Sequence, residues 1–246
     1  MLHYKKNMYG NKVRYMNTLY TFGCSFTAYY NNHENYIKYK NYKKGQFPKH
    51  WTELLSNKLN LKLNNFGYAG MGNDQIFQLI ANNSNSYVPG DIIVVGWSFT
   101  NRFKWANDNL NVWERIGPGF KDNSMFISKS TKNEIMVNRS SPLYINDIRN
   151  YEKLLDLFAN KSQIKIYYWS FDSNVINNKT EENKNFILYS QLKDNNSLKD
   201  YIFECGGDDI TMETNSEIDD HHLGENGHKI QSELFYDYIT NKQKLI

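Results

Sequence analysis

Ser25 follows a short apolar and aromatic run that ends at Gly23, and a segment reading Asp219-Asp220-His221-His222 precedes the last amphipathic stretch of the chain. Serine is a poor nucleophile unless a base takes its proton and nearby donors hold the oxyanion that follows. The base is ordinarily an imidazole, itself oriented by a carboxylate. A D-x-x-H spacing within a turn brings a carboxylate and an imidazole to one place from a single short loop, and Asp220 and His221 offer the same side-chain types one position away. Cys24 sets a thiol beside the serine, the alternative nucleophile. The D-D-H-H run also carries ordinary metal-ligand types, but no H-x-H or H-E-x-x-H completes a coordination shell, so neither a metal nor an organic cofactor is expected. His228 falls in the first turn of the final helix and is given no chemistry.

Four segments read as strands able to position these groups: 17–23, 61–66, 91–96 and 164–169, of which the third (DIIVVG) is the clearest buried run. Helical spacing appears around Trp51, Leu54, Leu55 and Leu59. A second helix runs through Ile76, Phe77, Leu79 and Ile80, with Asn73 or Asp74 as its cap, a third spans 146–160, and a fourth spans 224–239. The Tyr- and Lys-rich stretch up to Phe47 reads as a loop. Segment 99–145 has no strong period and contains Gly117-Pro118-Gly119, as a long functional insertion would. Strands alternating with helices predict an open, mainly parallel sheet covered on both faces, in which ligands bind beyond the carboxyl ends of the strands. The turns Gly23-Cys24-Ser25, Gly67 to Gly72 and Gly96-Trp97-Ser98 are expected to meet at that edge.

The chain has 246 residues, 40% hydrophobic and 15% aromatic, enough for a substantial core, and no linker divides it, so one domain over 1–246 is expected. Lys and Arg exceed Asp and Glu by only 29 to 26, without the field of a nucleic-acid binder. The distribution is uneven: the residues before Trp51 are basic, with Glu34 their sole acid, whereas 204–225 holds acids and no Lys or Arg. Two cysteines, Cys24 and Cys205, make no disulfide scaffold. Neither a secretory signal nor a stretch long enough to span a membrane is apparent, and a cytoplasmic location is expected.

Gly23-Cys24-Ser25-Phe26-Thr27 resembles the first block of the SGNH/GDSL hydrolases, G-D-S-x-T. Asn65-Phe66-Gly67-Tyr68-Ala69-Gly70 is similar to their second block, and Asp219 to His222 to their last, D-x-x-H. The resemblance implies a three-layer α/β/α sandwich with a mainly parallel five-stranded sheet of flavodoxin-like type. It also implies Ser25 as nucleophile, His222 as base and Asp219 as its carboxylate, with the backbone amides of Ser25 and Gly70 in the oxyanion hole. Two departures stand out. Cys24 replaces the first-block Asp. The third block, G-x-N-D, reads Gly96-Trp97-Ser98-Phe99-Thr100-Asn101-Arg102, so Ser98 or Asn101 must replace the asparagine donor. Arg102 offers a planar fork for an anionic substrate group, and Trp97 lies beside it as a second expected substrate contact. Trp97, Trp105, Trp113 and Trp169 also suit a core, while aromatics of the insertion suit a sugar or acyl cleft.

Together these features imply a serine esterase acting on a small-molecule or glycan ester, such as a carbohydrate O-acetyl or other short acyl ester. The altered third block keeps two alternatives open: a weak or inactive binding or virion-associated protein on the same fold, and an O-acyltransferase.

Overall fold

In the computed structural model the described residues are 4–6, 12–14, 17–100, 103–107, 112–116, 141–177, 183–188, 192 and 197–244. A short antiparallel hairpin, β1 (Tyr4–Lys6) and β2 (Lys12–Arg14), opens the chain. Strands β3 (Thr18–Gly23), β4 (Lys62–Gly67) and β5 (Ile92–Trp97) follow, then a second hairpin of β6 (Phe103–Asn107) and β7 (Val112–Ile116), then β8 (Lys165–Ser170). The central sheet runs β4-β3-β5-β8 with every pair parallel. Each of its strands lies within one residue of the sequence expectation, β3, β5 and β8 as mainly apolar runs and β4, KLNNFG, through the glycine-rich turn that ends it.

The sheet has four strands among the described residues where the family resemblance implies five. At the outer edge of β8 a single parallel bridge joins Tyr168 to Phe186. The Tyr168 amide donates to Asn185 O (3.0 Å) and the Ile187 amide to Tyr168 O (2.8 Å). The Asn183 side chain accepts from the Asn185 amide, which turns the chain just before the bridge and leaves a fully buried Phe186 where a fifth strand would extend.

Helices flank the sheet: α1 (Glu34–Tyr42), α2 (Trp51–Leu59), α3 (Asn73–Asn82), α4 (Ser141–Ser162), α5 (Ser173–Asn177), α6 (Leu198–Glu204), α7 (Ile210–Glu213) and α8 (Glu225–Lys244). The period-two alternation of β8 sorts them into layers. Tyr167 and Trp169 face Tyr238 and Phe235 of α8, with Trp51 of α2 beside them. Tyr168 faces the other way, donating to the α4 residues Glu152 (backbone) and Asp156. The fold is thus α/β in three layers, α2 and α8 on one face of the sheet and α4 on the other.

Two local expectations are corrected. Helix α1 occupies part of the stretch read as a loop. Its apolar face is only Tyr36 and Tyr39, three residues apart, and both become buried against the distant segment that carries His222. Helix α3 is capped by Gly72, whose amide donates to Gln75 Oε1, and not by Asn73 or Asp74, because the Asn73 side chain is engaged with strand β5. Segment 117–140 of the insertion lies outside the described residues, as do Asn101 and Arg102. Among the described residues no helix is long and apolar enough to cross a membrane.

Candidate active site

Register places the ends of three strands together. Gly23 pairs with Gly67, and Phe22 with Val95, so the turns that follow β3, β4 and β5 leave the same edge of the sheet. The first turn carries Ser25, half-buried: the Thr27 and Ala28 amides both donate to Cys24 O (2.9 and 3.0 Å) and fold the chain back on itself. Two side chains pin this turn from below. Trp51 Nε1 donates to Phe26 O (2.8 Å), and Asn65 Nδ2 donates to Thr27 O (2.8 Å) while Asn65 Oδ1 accepts from the Gly67 amide (2.9 Å). The turn lies so close to β4 that a Cβ on Gly67 would come within 2.3 Å of the Thr27 carbonyl carbon, so only glycine fits there.

The second turn, Tyr68 to Met71, closes through a Met71 amide to Tyr68 O bond (3.2 Å) with Gly70 at φ +78°, the left-handed position such a turn reserves for glycine. Neither the Ser25 nor the Gly70 amide has a hydrogen-bond acceptor among the described residues, so both donors are unspent. At the third turn Ser98 is almost wholly buried, and its Oγ has no partner among the described residues. Its backbone is clamped by Asn73, which accepts from the Ser98 amide (2.7 Å) and donates to the Ser98 carbonyl (3.1 Å). Trp97 belongs to the core: it is 2% exposed and its Nε1 donates to the buried Glu152 carboxylate (2.8 Å), leaving it only a share in lining a small recess next to Ser98.

The imidazole that arrives at this edge is His222. Its ring packs on Phe26, the residue after Ser25, at 4.7 Å between centroids, and meets Tyr36 of α1 edge-on at 5.7 Å. Its Nδ1 lies 2.6 Å from Asp220 Oδ1. The carboxylate that orients His222 is therefore Asp220 and not Asp219, a correction with a local cause. Asp220 Oδ1 also accepts from the His222 backbone amide (2.9 Å), an Asx-turn that aims the carboxylate at the residue two positions on. Thr211 fixes Asp220 in turn, its hydroxyl accepting from the Asp220 amide (2.8 Å). Asp219 projects outward with its side chain 92% exposed, 3.8 Å from His221. His221 is itself 71% exposed and turns toward Asp209.

The protonation pattern follows from the partners. An ionised carboxylate only accepts, so Nδ1 is the donor of this pair, and a neutral imidazole so held keeps its lone pair on Nε2. That Nε2 is buried and has no partner among the described residues, so no hydrogen bond joins it to Ser25. Burial pushes the Asp220 carboxyl upward, but the hydrogen bonds it accepts from the His222 ring and amide, with the ring's charge when it is protonated, outweigh that and hold it below the usual carboxylate range.

The loop 205–224 is fastened at several points. Lys43, just after α1, bridges Glu213 (2.6 Å) and Glu225 (2.5 Å), and Tyr39 and Tyr42 donate to the Glu213 side chain and carbonyl. Lys199 of α6 holds Asp209 (3.0 Å) and the His221 carbonyl (2.8 Å), and Asn35 of α1 donates to the Asp219 carbonyl (3.0 Å). The basic amino-terminal segment thus meets the acidic segment 204–225, a pairing that the charge asymmetry of the sequence would have suggested had the two runs been set side by side.

Behind His222 lies a second, fully enclosed pair, His50 and His228, with ring centroids 4.5 Å apart and Tyr30 Oη 2.9 Å from His228 Nε2. Burial, then the neighbouring imidazoles, drives His50 well below the ordinary histidine value and His228 down to about 3. Between 6.5 and about 3 the unfolded chain accepts a proton at His228 that the folded chain refuses, so stability rises with pH across that window and is lost on acidification. Thermal melts are expected to show Tm falling from pH 6.5 to 5, before the carboxylates titrate, and His228→Gln is expected to make that limb shallower, with His50 supplying the rest. An unchanged Tm over this range in the wild type would contradict it.

Among the described residues no group of three or more His, Cys, Asp or Glu side chains is placed to hold a metal ion. No family model matches the chain. No curated protein matches it either. Solved structures do: a member of the lipolytic protein G-D-S-L family from Veillonella parvula DSM 2008 is similar at 14% identity over 91% of this chain and 98% of its own, with a TM-score of 0.41. A putative lipolytic G-D-S-L protein from Desulfitobacterium hafniense DCB-2 is similar at 14% identity over 90% and 99%, with a TM-score of 0.35. An acetyl xylan esterase from the rumen bacterium Butyrivibrio proteoclasticus is similar at 12% identity over 96% of this chain and 68% of its own, with a TM-score of 0.43. The chemistry proposed below rests on the residues of this chain.

Proposed function

We propose that the chain is a serine esterase that hydrolyses a short-chain carboxylic ester, a carbohydrate O-acetyl ester being the natural candidate. The observation that supports this best is the state of His222: its Nδ1 is committed to Asp220, its Nε2 is unspent, and its ring rests on the residue next to Ser25. An ester carbonyl placed between the first two turns draws the Ser25 hydroxyl toward Nε2, since catalytic hydrogen bonds that are open in a free enzyme tighten around substrate.

Ser25 Oγ then attacks the carbonyl carbon while its proton passes to His222 Nε2. Asp220 stabilises the imidazolium, and the oxyanion accepts from the Ser25 and Gly70 amides and from the Ser98 hydroxyl, which takes the place of the family asparagine. Collapse of the tetrahedral intermediate expels the alcohol, which takes the proton from His222 and leaves the acyl group on Ser25. Water, deprotonated by the same nitrogen, releases the acid and restores the serine. The Asn73 side chain is oriented by the Ser98 backbone, with Oδ1 and one Nδ2 hydrogen held there.

That substitution also favours a second reading, a weakly active or inactive binding protein on this fold. The two part on one assay: the esterase hydrolyses p-nitrophenyl acetate and takes a fluorophosphonate covalently at Ser25, identified by peptide mass spectrometry. A binding protein does neither, and silence of the wild type in both tests would remove the enzymatic reading.

A further inference from the structure

A small recess opens at the carboxyl edge of the sheet, lined by both chain neighbours of Ser25 though not by Ser25 itself. Cys24 and Phe26 line it, with Phe99, Trp169 and Phe171 as aromatic walls and Ser98 and the buried Asp172 as its polar ones. It has room for about one water-sized sphere, roughly 10 Å³ on that measure.

The aromatic walls support one another. Phe171 meets Phe26 edge to face at 4.6 Å and packs on Trp169 at 5.0 Å; Trp169 is backed by Trp51 at 5.7 Å, and Phe99 sits 6.3 Å from Phe26. Trp169 and Phe171 are both buried, so neither retreats into solvent to admit a longer chain. Close-packed cores tolerate added methylenes poorly. Phe26 is moreover shared: one side walls the recess and its ring carries the His222 imidazole. An acyl chain that forces Phe26 outward therefore displaces the base as well, and the misfit is felt in turnover.

We infer that this recess is the acyl pocket, that it admits the methyl of an acetyl group and rejects butyryl and longer chains, and that Phe171 sets the limit. The inference rests on the esterase reading above, and its test separates the two. The full chain is assayed with p-nitrophenyl acetate, propionate and butyrate. Acetate is expected to exceed butyrate by at least about 10-fold in kcat/KM, mostly through kcat, the discrimination a tight apolar pocket gives. Phe171→Leu, milder than Phe171→Ala and kept as the variant more certain to fold, is expected to shrink that ratio by about 10-fold, with circular dichroism checking the fold. Equal turnover of acetate and butyrate by the wild type, or a ratio unmoved in a folded Phe171 variant, would overturn the pocket assignment while leaving the esterase intact. Absence of any hydrolysis, with no fluorophosphonate adduct, would overturn both.

Discussion

Asp220→Asn is expected to lower kcat toward p-nitrophenyl acetate by about 1,000- to 10,000-fold, whereas Asp219→Asn leaves it within about 2-fold. The two residues are adjacent, carry the same side chain, and differ only in what the local backbone does with them. Asp220 receives the His222 ring and amide on one oxygen and is buried, so an amide in its place presents the wrong group to Nδ1 and frees the imidazole to adopt the other tautomer. Asp219 faces water with no hold on His222. The pair of variants also separates chemistry from folding, since a structural role for the loop would appear in the melting temperature of Asp220→Asn without the loss of turnover. Comparable losses from both variants, or a fall confined to Asp219→Asn, would show that the carboxylate has been assigned to the wrong residue.

The second large effect is expected at the nucleophile and base together. Ser25→Ala and His222→Ala should each reduce kcat by about 10,000- to 1,000,000-fold, and the double variant should lose no more than either single one. Such non-additivity follows when two groups act on one proton: once the alcohol is gone the base has nothing to accept, and once the base is gone the alcohol stays protonated. Steady-state kinetics on the three variants, with intact folding verified, provide the measurement. Losses that multiply in the double variant would mean that the residues act independently.

Much of this arrangement was legible in the sequence, for reasons that particular residues make plain. Strands β3, β5 and β8 were readable because each is a mainly apolar and aromatic run that ends at a turn, as burial demands; the edge strand β4, KLNNFG, is marked instead by the glycine-rich turn that follows it. Helix α1 was not, because its buried positions are two tyrosines in a lysine-rich stretch and their partners, Glu213 and the loop around it, lie some 170 residues away in the chain. Ser25 and His222 were found through the family motif, but the motif spacing pointed to Asp219, and an Asx-turn, invisible to spacing, selected Asp220. Asn73 looked like a helix cap, its commonest local use, until strand β5 brought the Ser98 backbone within its reach. Trp97 looked like a substrate contact beside the third turn, but Glu152 from the distant α4 helix claims its indole N–H.

The claim on which everything else turns is that the ends of β3 and of the 205–224 loop form one catalytic unit. A crystal structure of the protein after reaction with a small alkyl fluorophosphonate measures this directly. The expected result is phosphorus bonded to Ser25 Oγ, a phosphoryl oxygen within hydrogen-bond reach of the Ser25 and Gly70 amides, and His222 Nε2 turned toward the adduct while Nδ1 stays on Asp220. An adduct on any other residue, or one on Ser25 with the His222 ring directed away from it, would contradict the account.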